Sequence, residues 1–210
     1  MTVLNLYCGI GGNRKLWQEV EVTAVEHDEK IAKIYQDNFP NDKVIIGDAH
    51  EYLLKHFQEF DFIWASPPCP THSRLNFTNF AKHSTVQYPD MNLYQEIILL
   101  KTWFKGKFCV ENVIGYYEPL IKPIESNSHY FWTNFPIRKI ENKKRAIGFH
   151  VPIEVRAKIV GFDLKGYELT KGFEKKVLNN CTEPETGLHI LDCARGIIRK
   201  ENVSQCQFEF

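Results

Sequence analysis

Short apolar runs alternate with helical patterns through the first half of the chain. The runs predict five strands, over residues 3–6, 22–26, 44–46, 60–65 and 108–111. Between them, apolar positions at helical spacing predict helices over residues 15–20, 29–38 and 91–104. Strands that alternate with helices pack as a parallel sheet, so the pattern predicts an α/β fold with a mostly parallel central sheet flanked by helices.

The second half of the chain has a less regular pattern. It predicts one strand over residues 130–132 and two helices, over residues 152–160 and 184–194, each beginning at a proline. The sequence contains no internal repeat and no linker rich in Pro, Gly or Ser. A length of 210 residues corresponds to one domain.

The charge balance excludes two classes of protein. Basic and acidic side chains number 26 each, so the chain is neither a uniformly basic nucleic-acid coat nor an acidic disordered segment. A polyanion would have to bind a local patch. One candidate, although such clusters are more often solvated faces, is the basic cluster Arg138, Lys139, Lys143, Lys144 and Arg145.

The lengths of the apolar runs and the spacing of the cysteines predict the cellular compartment and the state of the thiols. No apolar run approaches the ~18 residues that cross a membrane, and the chain begins with a strand-like segment, so we expect a cytoplasmic protein without membrane contact. The six cysteines form no C-x-x-C pair, which argues against a zinc or dithiol site. We therefore expect no bound metal and no disulfides.

Glycine or acidic residues stand at the ends of the first three predicted strands. Gly9, Gly11 and Gly12 follow the first strand. Glu26 ends the second, and Asp48 follows the third. The carboxyl ends of parallel strands meet at one sheet edge, where glycines admit a ligand and a carboxylate accepts a ribose hydroxyl. Together these strand ends predict a nucleoside pocket; singly, a tight turn or a helix cap explains each one as well.

A cysteine and a carboxylate follow the next two strands. Cys69 comes after two prolines at the end of the fourth strand, and Glu111 and Asn112 end the fifth. The prolines fix the backbone and would hold the thiol at the sheet edge. A nucleophile and an acid/base group would then face one pocket, whereas the commoner fate of a free cysteine is burial without reactivity.

Five segments occur in the order and spacing of the cytosine-C5 DNA methyltransferase family: residues 6–12, 26–28, 47–48, 67–69 and 111–113. The chain most resembles the family's short phage-borne members. The resemblance implies the Rossmann-like fold of class I S-adenosylmethionine-dependent methyltransferases and methyl transfer to C5 of cytosine in DNA. It also implies a role in restriction and modification, in a bacterial or phage-infected cell.

The resemblance assigns the first three segments to the cofactor S-adenosylmethionine. It places Gly9 and Gly11 at the methionine end and Glu26 at the ribose hydroxyls. Asp48 would bind the adenine amino group, and His27 would stack on the adenine. The cofactor-binding residues that the resemblance implies are Tyr7, Cys8, Gly9, Gly11, Gly12, Glu26, His27, Asp48, Ala49, Pro67 and Asn180.

The resemblance also assigns the catalytic residues. C5 of cytosine is not nucleophilic, so the Cys69 thiolate would add at C6 and create a carbanion at C5 that accepts the methyl group. Glu111 would hydrogen-bond N3 and the exocyclic amine, and Asn112 would hold the loop. The substrate would be duplex DNA with the target cytosine flipped out. Ser73 and Arg74 match the loop that closes over DNA, with Arg74 at a phosphate.

The chain departs from the family pattern at its DNA-binding positions. The Arg-x-Arg pair of the eighth motif is not evident, and His129 or Arg74 would have to replace it. Only residues 137–151 stand where the family has a large target-recognition domain. We therefore predict a core at 1–136, a vestigial recognition stub at 137–151 and C-terminal helices at 152–210. The basic cluster falls in this stub and becomes a candidate phosphate contact. We expect short or relaxed sequence recognition, or recognition supplied by a partner chain.

Other interpretations stay open. One branch of the family methylates a tRNA, so RNA is an alternative substrate. A catalytically silent module that binds S-adenosylmethionine and nucleic acid is favoured by the altered eighth motif and opposed by Cys69 and Glu111. Amino-methylation of a base would need an aromatic residue in place of Cys69, and the incomplete glycine pattern disfavours an NAD-dependent oxidoreductase.

Overall fold

A seven-stranded sheet forms the centre of the protein in a computed structural model that describes residues 1–84, 86–138 and 151–198. The strands are β1 (Thr2–Leu6), β2 (Glu21–Glu26), β3 (Lys43–Ile46), β4 (Phe62–Ala65), β5 (Lys107–Val113), β6 (Ile124–Ser126) and β7 (His129–Thr133). They lie in the order β3-β2-β1-β4-β5-β7-β6. Strands β1 to β5 are parallel, whereas β7 is antiparallel to both β5 and β6. The carboxyl ends of five strands therefore meet at one edge.

Helices cover both faces of the sheet. They are α1 (Glu29–Asn38), α2 (Ala49–His56), α3 (Leu75–His83), α4 (Asn92–Trp103), α5 (Ile153–Val160), α6 (Lys171–Asn179) and α7 (Pro184–Arg195). A short 3₁₀ helix at Phe57–Glu59 follows α2. The α/β fold with a mostly parallel sheet is confirmed. None of the helices in the described ranges is long and apolar enough to cross a membrane.

Alternate residues of the central strands face opposite layers. Leu4 and Ile63 are fully buried in a cluster with residues of α2 and α4. Val3 and Trp64 are fully buried in a second cluster, which includes Ile190 of α7. Since strands buried on both faces are apolar along their whole length, they gave clear sequence signals. A third cluster joins α1 to α5 and α6, so the C-terminal helices share the core.

The predicted helix over residues 15–20 is wrong. The chain instead makes turns over residues 12–16, and its polar side chains bond inward. Asn13 donates to the Oδ1 of Asn5 in the buried interior of β1 at 2.8 Å. Arg14 forms an ion pair with Asp42 at 2.8 Å and donates to the carbonyl of Trp17. These bonds fix a loop in place of a helix.

Candidate active site

The loop after β1 turns sharply at two glycines. Gly9 and Gly11 have φ angles of +54° and +88°, a conformation that glycine adopts without strain. A Cβ at Gly9 would meet none of the described atoms within 4 Å, whereas one at Gly11 would lie 2.3 Å from the ring of Phe39. Gly9 therefore borders open space, and Gly11 allows the loop to pack against the end of α1.

Gly12 is a point of close approach between the two ends of the chain. A Cβ there would lie 2.2 Å from the carbonyl oxygen of Thr182 and 2.3 Å from the Sγ of Cys181.

We therefore expect Gly12→Ala to lower the free energy of unfolding by about 2 kcal/mol, since overpacking against backbone forces a shift. Urea unfolding measures this. Gly172→Ala in α6, where a Cβ would meet open space, is the matched control and should unfold no earlier than the wild type. An equal effect of the two substitutions would contradict the assignment.

Glu26 connects the glycine loop to the end of β2. Its Oε2 accepts a hydrogen bond from the Gly9 amide at 3.0 Å. Its Oε1 accepts from the amides of His27 and Asp28 at 3.0 and 3.1 Å. The carboxylate is 6% exposed, and these three amides compensate the cost of its burial.

A cavity of about 210 Å³ opens at the carboxyl edge of the sheet. Its lining includes five residues that the sequence assigned to a cofactor, namely Tyr7, Glu26, His27, Asp48 and Ala49. It also includes Gly47, which lies in a segment that the resemblance assigned to the cofactor. The lining residues that sequence reasoning missed are Val25, His50, Pro68, Asp90 and Asn92. Asp48 caps α2 by accepting from the amide of Glu51 at 2.9 Å, which fixes its carboxylate at the cavity wall.

The other six predicted cofactor residues do not line this cavity. Gly9, Gly11 and Gly12 form the glycine loop described above, with Cys8 buried within it. Pro67 is buried in the segment after β4. Asn180 is the C-cap of α6. The structure thus brings five of the eleven predicted residues to one cavity wall.

A buried carboxylate, which sequence reasoning did not identify, contacts two side chains that line the cavity. Glu96 of α4 is fully buried, accepts a hydrogen bond from the Tyr7 hydroxyl, and lies 3.0 Å from Nδ1 of His50. Burial, followed by the charge of Glu96, raises the pKa of Tyr7. The hydrogen bond with Glu96 raises the pKa of His50 despite partial burial. The carboxylate of Glu96 therefore fixes two side chains of the cavity wall, Tyr7 and His50.

Cys69 is held at the same sheet edge. It lies in the segment after β4 and is partly buried. Its carbonyl accepts hydrogen bonds from the amides of His72 and Ser73 at 3.0 Å. The Nδ2 of Asn112 donates to the carbonyl of Pro67 at 3.0 Å, which attaches the cysteine segment to β5. Asn112 thus contacts the loop that it was predicted to hold, and its role in the reaction stays a prediction.

Glu111 forms the centre of a hydrogen-bond network beside Cys69. Ser66 Oγ donates to its Oε2 at 2.8 Å and itself accepts from Trp64 Nε1 at 2.7 Å. On the other side, Nε2 of His129 lies 3.5 Å from Oε1. Because Nδ1 of His129 is 3.0 Å from the carbonyl of Asn127, which can only accept, Nδ1 carries a proton.

The reactivity of Cys69 is coupled to Glu111. Burial raises the pKa of the Cys69 thiol, and the negative charge of Glu111 raises it further. The thiol is therefore protonated at neutral pH, and neutralising Glu111 would remove the smaller of the two causes that raise its pKa.

Removing that charge should make the thiol more reactive. In Glu111→Gln the pKa of Cys69 falls, so at pH 8 more thiolate forms and iodoacetamide alkylates Cys69 faster than in the wild type. Mass spectrometry of the Cys69 peptide measures the rate. Cys181 serves as the internal control, because burial raises its pKa without a contribution from Glu111. An unchanged or slower reaction at Cys69 would contradict the coupling.

The described residues among the predicted nucleic-acid contacts lie in three regions, one of which is His129 on β7 beside Glu111. Ser73 and Arg74 lie just after Cys69, where Ser73 pairs with Gly115 in an isolated β-bridge and Arg74 donates to the Gly115 carbonyl at 3.3 Å. Arg138 instead donates to the carbonyl of Ile197 beyond α7 at 2.7 Å. The rest of the basic cluster lies outside the described residues, namely Lys139, Lys143, Lys144 and Arg145.

Comparisons with known proteins agree with this architecture. The model of the family described as C-5 cytosine-specific DNA methylase matches residues 1–118. The solved structure of the methyltransferase EhMeth of Entamoeba histolytica superposes with a TM-score of 0.57 at 11% identity, over 95% of this chain and 99% of that one. DNMT2 of Spodoptera frugiperda gives a TM-score of 0.44 at 18% identity, over 67% and 53%. The comparison with curated proteins found no match. The likeness to EhMeth confirms the fold predicted for class I S-adenosylmethionine-dependent methyltransferases.

Proposed function

Because the chain belongs to the family of C-5 cytosine-specific DNA methylases, we propose that it methylates C5 of a flipped cytosine in duplex DNA through a covalent bond to Cys69. The observation that carries this proposal is the attachment of the Cys69 segment to β5, the strand that presents Glu111 and Asn112. A nucleophile and a carboxyl group thus share one sheet edge with a cavity.

The cavity residues fit S-adenosylmethionine. Gly47 lines the cavity, and a Cβ there would meet none of the described atoms within 4 Å, so the backbone leaves room for a ligand. Glu26 Oε2 accepts one amide, and a carboxylate oxygen has two lone pairs, so it can also accept a ribose hydroxyl. Asp48 would accept from an adenine amino group. When bound, S-adenosylmethionine supplies an activated methyl group.

The residues beside Cys69 can carry out the proton transfers of the reaction. The Cys69 thiol gives its proton to the Glu111–His129 pair, and its sulfur bonds to C6 of cytosine. As sulfur adds, Glu111 delivers a proton to N3, which neutralises the charge that the addition pushes into the ring and leaves a neutral enamine-like adduct with a nucleophilic C5. After C5 is methylated, a base or water removes the C5 proton, the bond between sulfur and C6 breaks, and N3 returns its proton to Glu111.

His129 is the basic side chain beside Glu111, at the place where the family has arginine. It lies on β7, opposite Val113 of β5, and its ring is directed at Glu111. We infer that His129 replaces the missing arginine pair at Glu111 and that Arg74 contacts a phosphate.

The short segment between β7 and α5 determines how the protein could recognise a target sequence in DNA. The segment 137–151 is our proposed remnant of the target-recognition domain, between a core at 1–136 and the C-terminal helices at 152–210. Fifteen residues cannot form a separate recognition domain, so a short or relaxed target, or a partner chain, follows from this proposal.

Covalent trapping tests the proposed mechanism. With duplex DNA containing 5-fluorocytosine, the fluorine at C5 cannot leave as the proton does, so the bond between Cys69 and C6 should persist after methyl transfer. We expect an adduct that survives denaturation, requires S-adenosylmethionine and maps to the Cys69 peptide. Methylation of ordinary DNA without any adduct on 5-fluorocytosine would contradict the covalent step.

A further inference from the structure

Helix α4 has a carboxylate among its buried residues. Glu96 is fully buried, and the other buried residues of the helix are Leu93, Tyr94, Ile97 and Leu100. The Oε2 of Glu96 has no hydrogen-bond partner among the described residues. A carboxylate that is buried without all of its hydrogen bonds is costly, and an apolar side chain would be buried at this position without that cost. Packing alone therefore gives no reason for a carboxylate here.

The contacts of Glu96 are with the wall of the candidate cofactor cavity. Its Oε1 accepts from the Tyr7 hydroxyl and lies 3.0 Å from Nδ1 of His50, and both of these side chains line the cavity. Glu96 itself is not among the lining residues. The three residues belong to different parts of the fold, since Tyr7 follows β1, His50 lies in α2 and Glu96 lies in α4. One buried oxygen therefore joins two side chains of the cavity wall.

The backbone of Tyr7 is held in a conformation that needs support. Its φ angle is +54°, in the left-handed region that residues other than glycine rarely adopt. Such a conformation persists only where the surroundings fix it, and it is frequent at binding sites. The bond to Glu96 anchors the far end of the Tyr7 side chain. Burial and the charge of Glu96 raise the pKa of Tyr7, so its hydroxyl keeps the proton that it donates.

We propose that Glu96 is a positioning residue for the cofactor, which orders Tyr7 and His50 in the cavity wall before S-adenosylmethionine binds. The inference rests on the proposed function and adds to it a residue that acts through two others. Binding is weaker when side chains must first be ordered, so a wall that is already fixed raises the affinity. The stability that the buried carboxylate costs is then offset by tighter binding of the cofactor.

A purely structural role for Glu96 is the alternative. Glu96 would then stabilise the fold by joining α4 to α2 and to the loop after β1, and cofactor affinity would follow stability. The two roles predict different results when leucine, which has a similar volume and no polar side-chain atom, replaces Glu96. Positioning predicts weaker binding without a loss of stability, because Tyr7 and His50 border the cavity, where water can take over their hydrogen bonds.

Calorimetry with S-adenosylhomocysteine and urea unfolding, both on the full chain, test the inference. Glu96→Leu should weaken binding of S-adenosylhomocysteine about tenfold, because two side chains must then be ordered when the ligand binds. Its urea midpoint should stay at or above that of the wild type. Glu96→Gln should keep the affinity within a few fold of the wild type, since its amide oxygen still accepts from Tyr7. Glu51→Gln, at an exposed carboxylate next to His50 in α2, is the matched control and should change neither quantity.

Three results would overturn the inference. They are an unchanged affinity in Glu96→Leu, a lower urea midpoint in Glu96→Leu than in the wild type, or a loss of affinity in Glu96→Gln equal to that in Glu96→Leu. The binding assay needs no turnover. A wild type that never methylates DNA but loses affinity for S-adenosylhomocysteine with Glu96→Leu would refute the proposed function alone. A wild type that methylates DNA and shows no effect of Glu96→Leu on binding would refute this inference alone.

Discussion

Cys69→Ala should reduce methyl transfer to cytosine by at least about ten-thousand-fold, because without the bond from sulfur to C6 the C5 atom has no nucleophilic character. The structure places this thiol in a segment attached to β5 by Asn112, at the edge where the cavity opens. Initial rates of tritiated methyl transfer to DNA measure the loss. Cofactor binding, measured by calorimetry, should not change.

The matched control for this variant is another cysteine. Cys193→Ala removes a buried thiol from α7 and should keep transfer within a few fold of the wild type. Residual activity in Cys69→Ala within tenfold of the wild type would contradict the assignment of Cys69 as nucleophile. So would an equal loss in both variants.

The second large effect is expected for Glu111→Gln. Glutamine keeps the shape of the side chain and can still accept from Ser66, but it cannot pass a proton to N3, so kcat should fall about 100-fold to 1,000-fold. Single-turnover rates measure the chemical step, with Glu125→Gln on the exposed surface of β6 as the control. The same variant should alkylate faster at Cys69. If methyl transfer becomes slower while alkylation of Cys69 becomes faster, the proton-transfer role of Glu111 is separated from its effect on the pKa of Cys69.

Two outcomes would count against this account of Glu111. A normal kcat in Glu111→Gln would show that N3 is not protonated by this group. A loss of cofactor affinity equal to the loss of rate would show that the carboxyl group supports the fold of the sheet edge instead of the reaction.

The strands and most positions of the site could be predicted because they depend on patterns within short stretches of the sequence. Buried parallel strands are apolar along their length. The candidate functional residues come directly after the strands end. Glu26, Asp48 and Cys69 were therefore located at one edge from the sequence alone, and the structure places Glu26 and Asp48 in one cavity wall. The roles of these residues in binding and catalysis remain predictions.

The elements that the sequence analysis did not predict lack a regular apolar pattern. Helix α3 buries no residue, so no stripe marks it. Helix α6 buries only Val177 and Leu178 among its nine residues. Helix α2 has eight residues, and β6 has three, which is too short for periodicity to stand out.

The partners of the site residues could not be predicted because they are distant in the sequence. Glu96 contacts Tyr7, 89 positions earlier, and Ser66 contacts Glu111, 45 positions later. Nothing in the local pattern of α4 distinguishes Glu96 from a surface carboxylate, since its burial depends on how α4 packs against the sheet. The error over residues 15–20 has the same origin, because the bond between Asn5 and Asn13 exists only in the folded protein.

The most direct test of the central claim is the identity of the methylated product. The protein is incubated with tritiated S-adenosylmethionine and either unmethylated duplex DNA or total tRNA, and each nucleic acid is then digested to nucleosides. We expect labelled 5-methylcytosine in the DNA and none when Cys69→Ala is used. Label in tRNA alone would contradict the assignment of DNA as substrate, and no label in either nucleic acid would contradict catalysis itself.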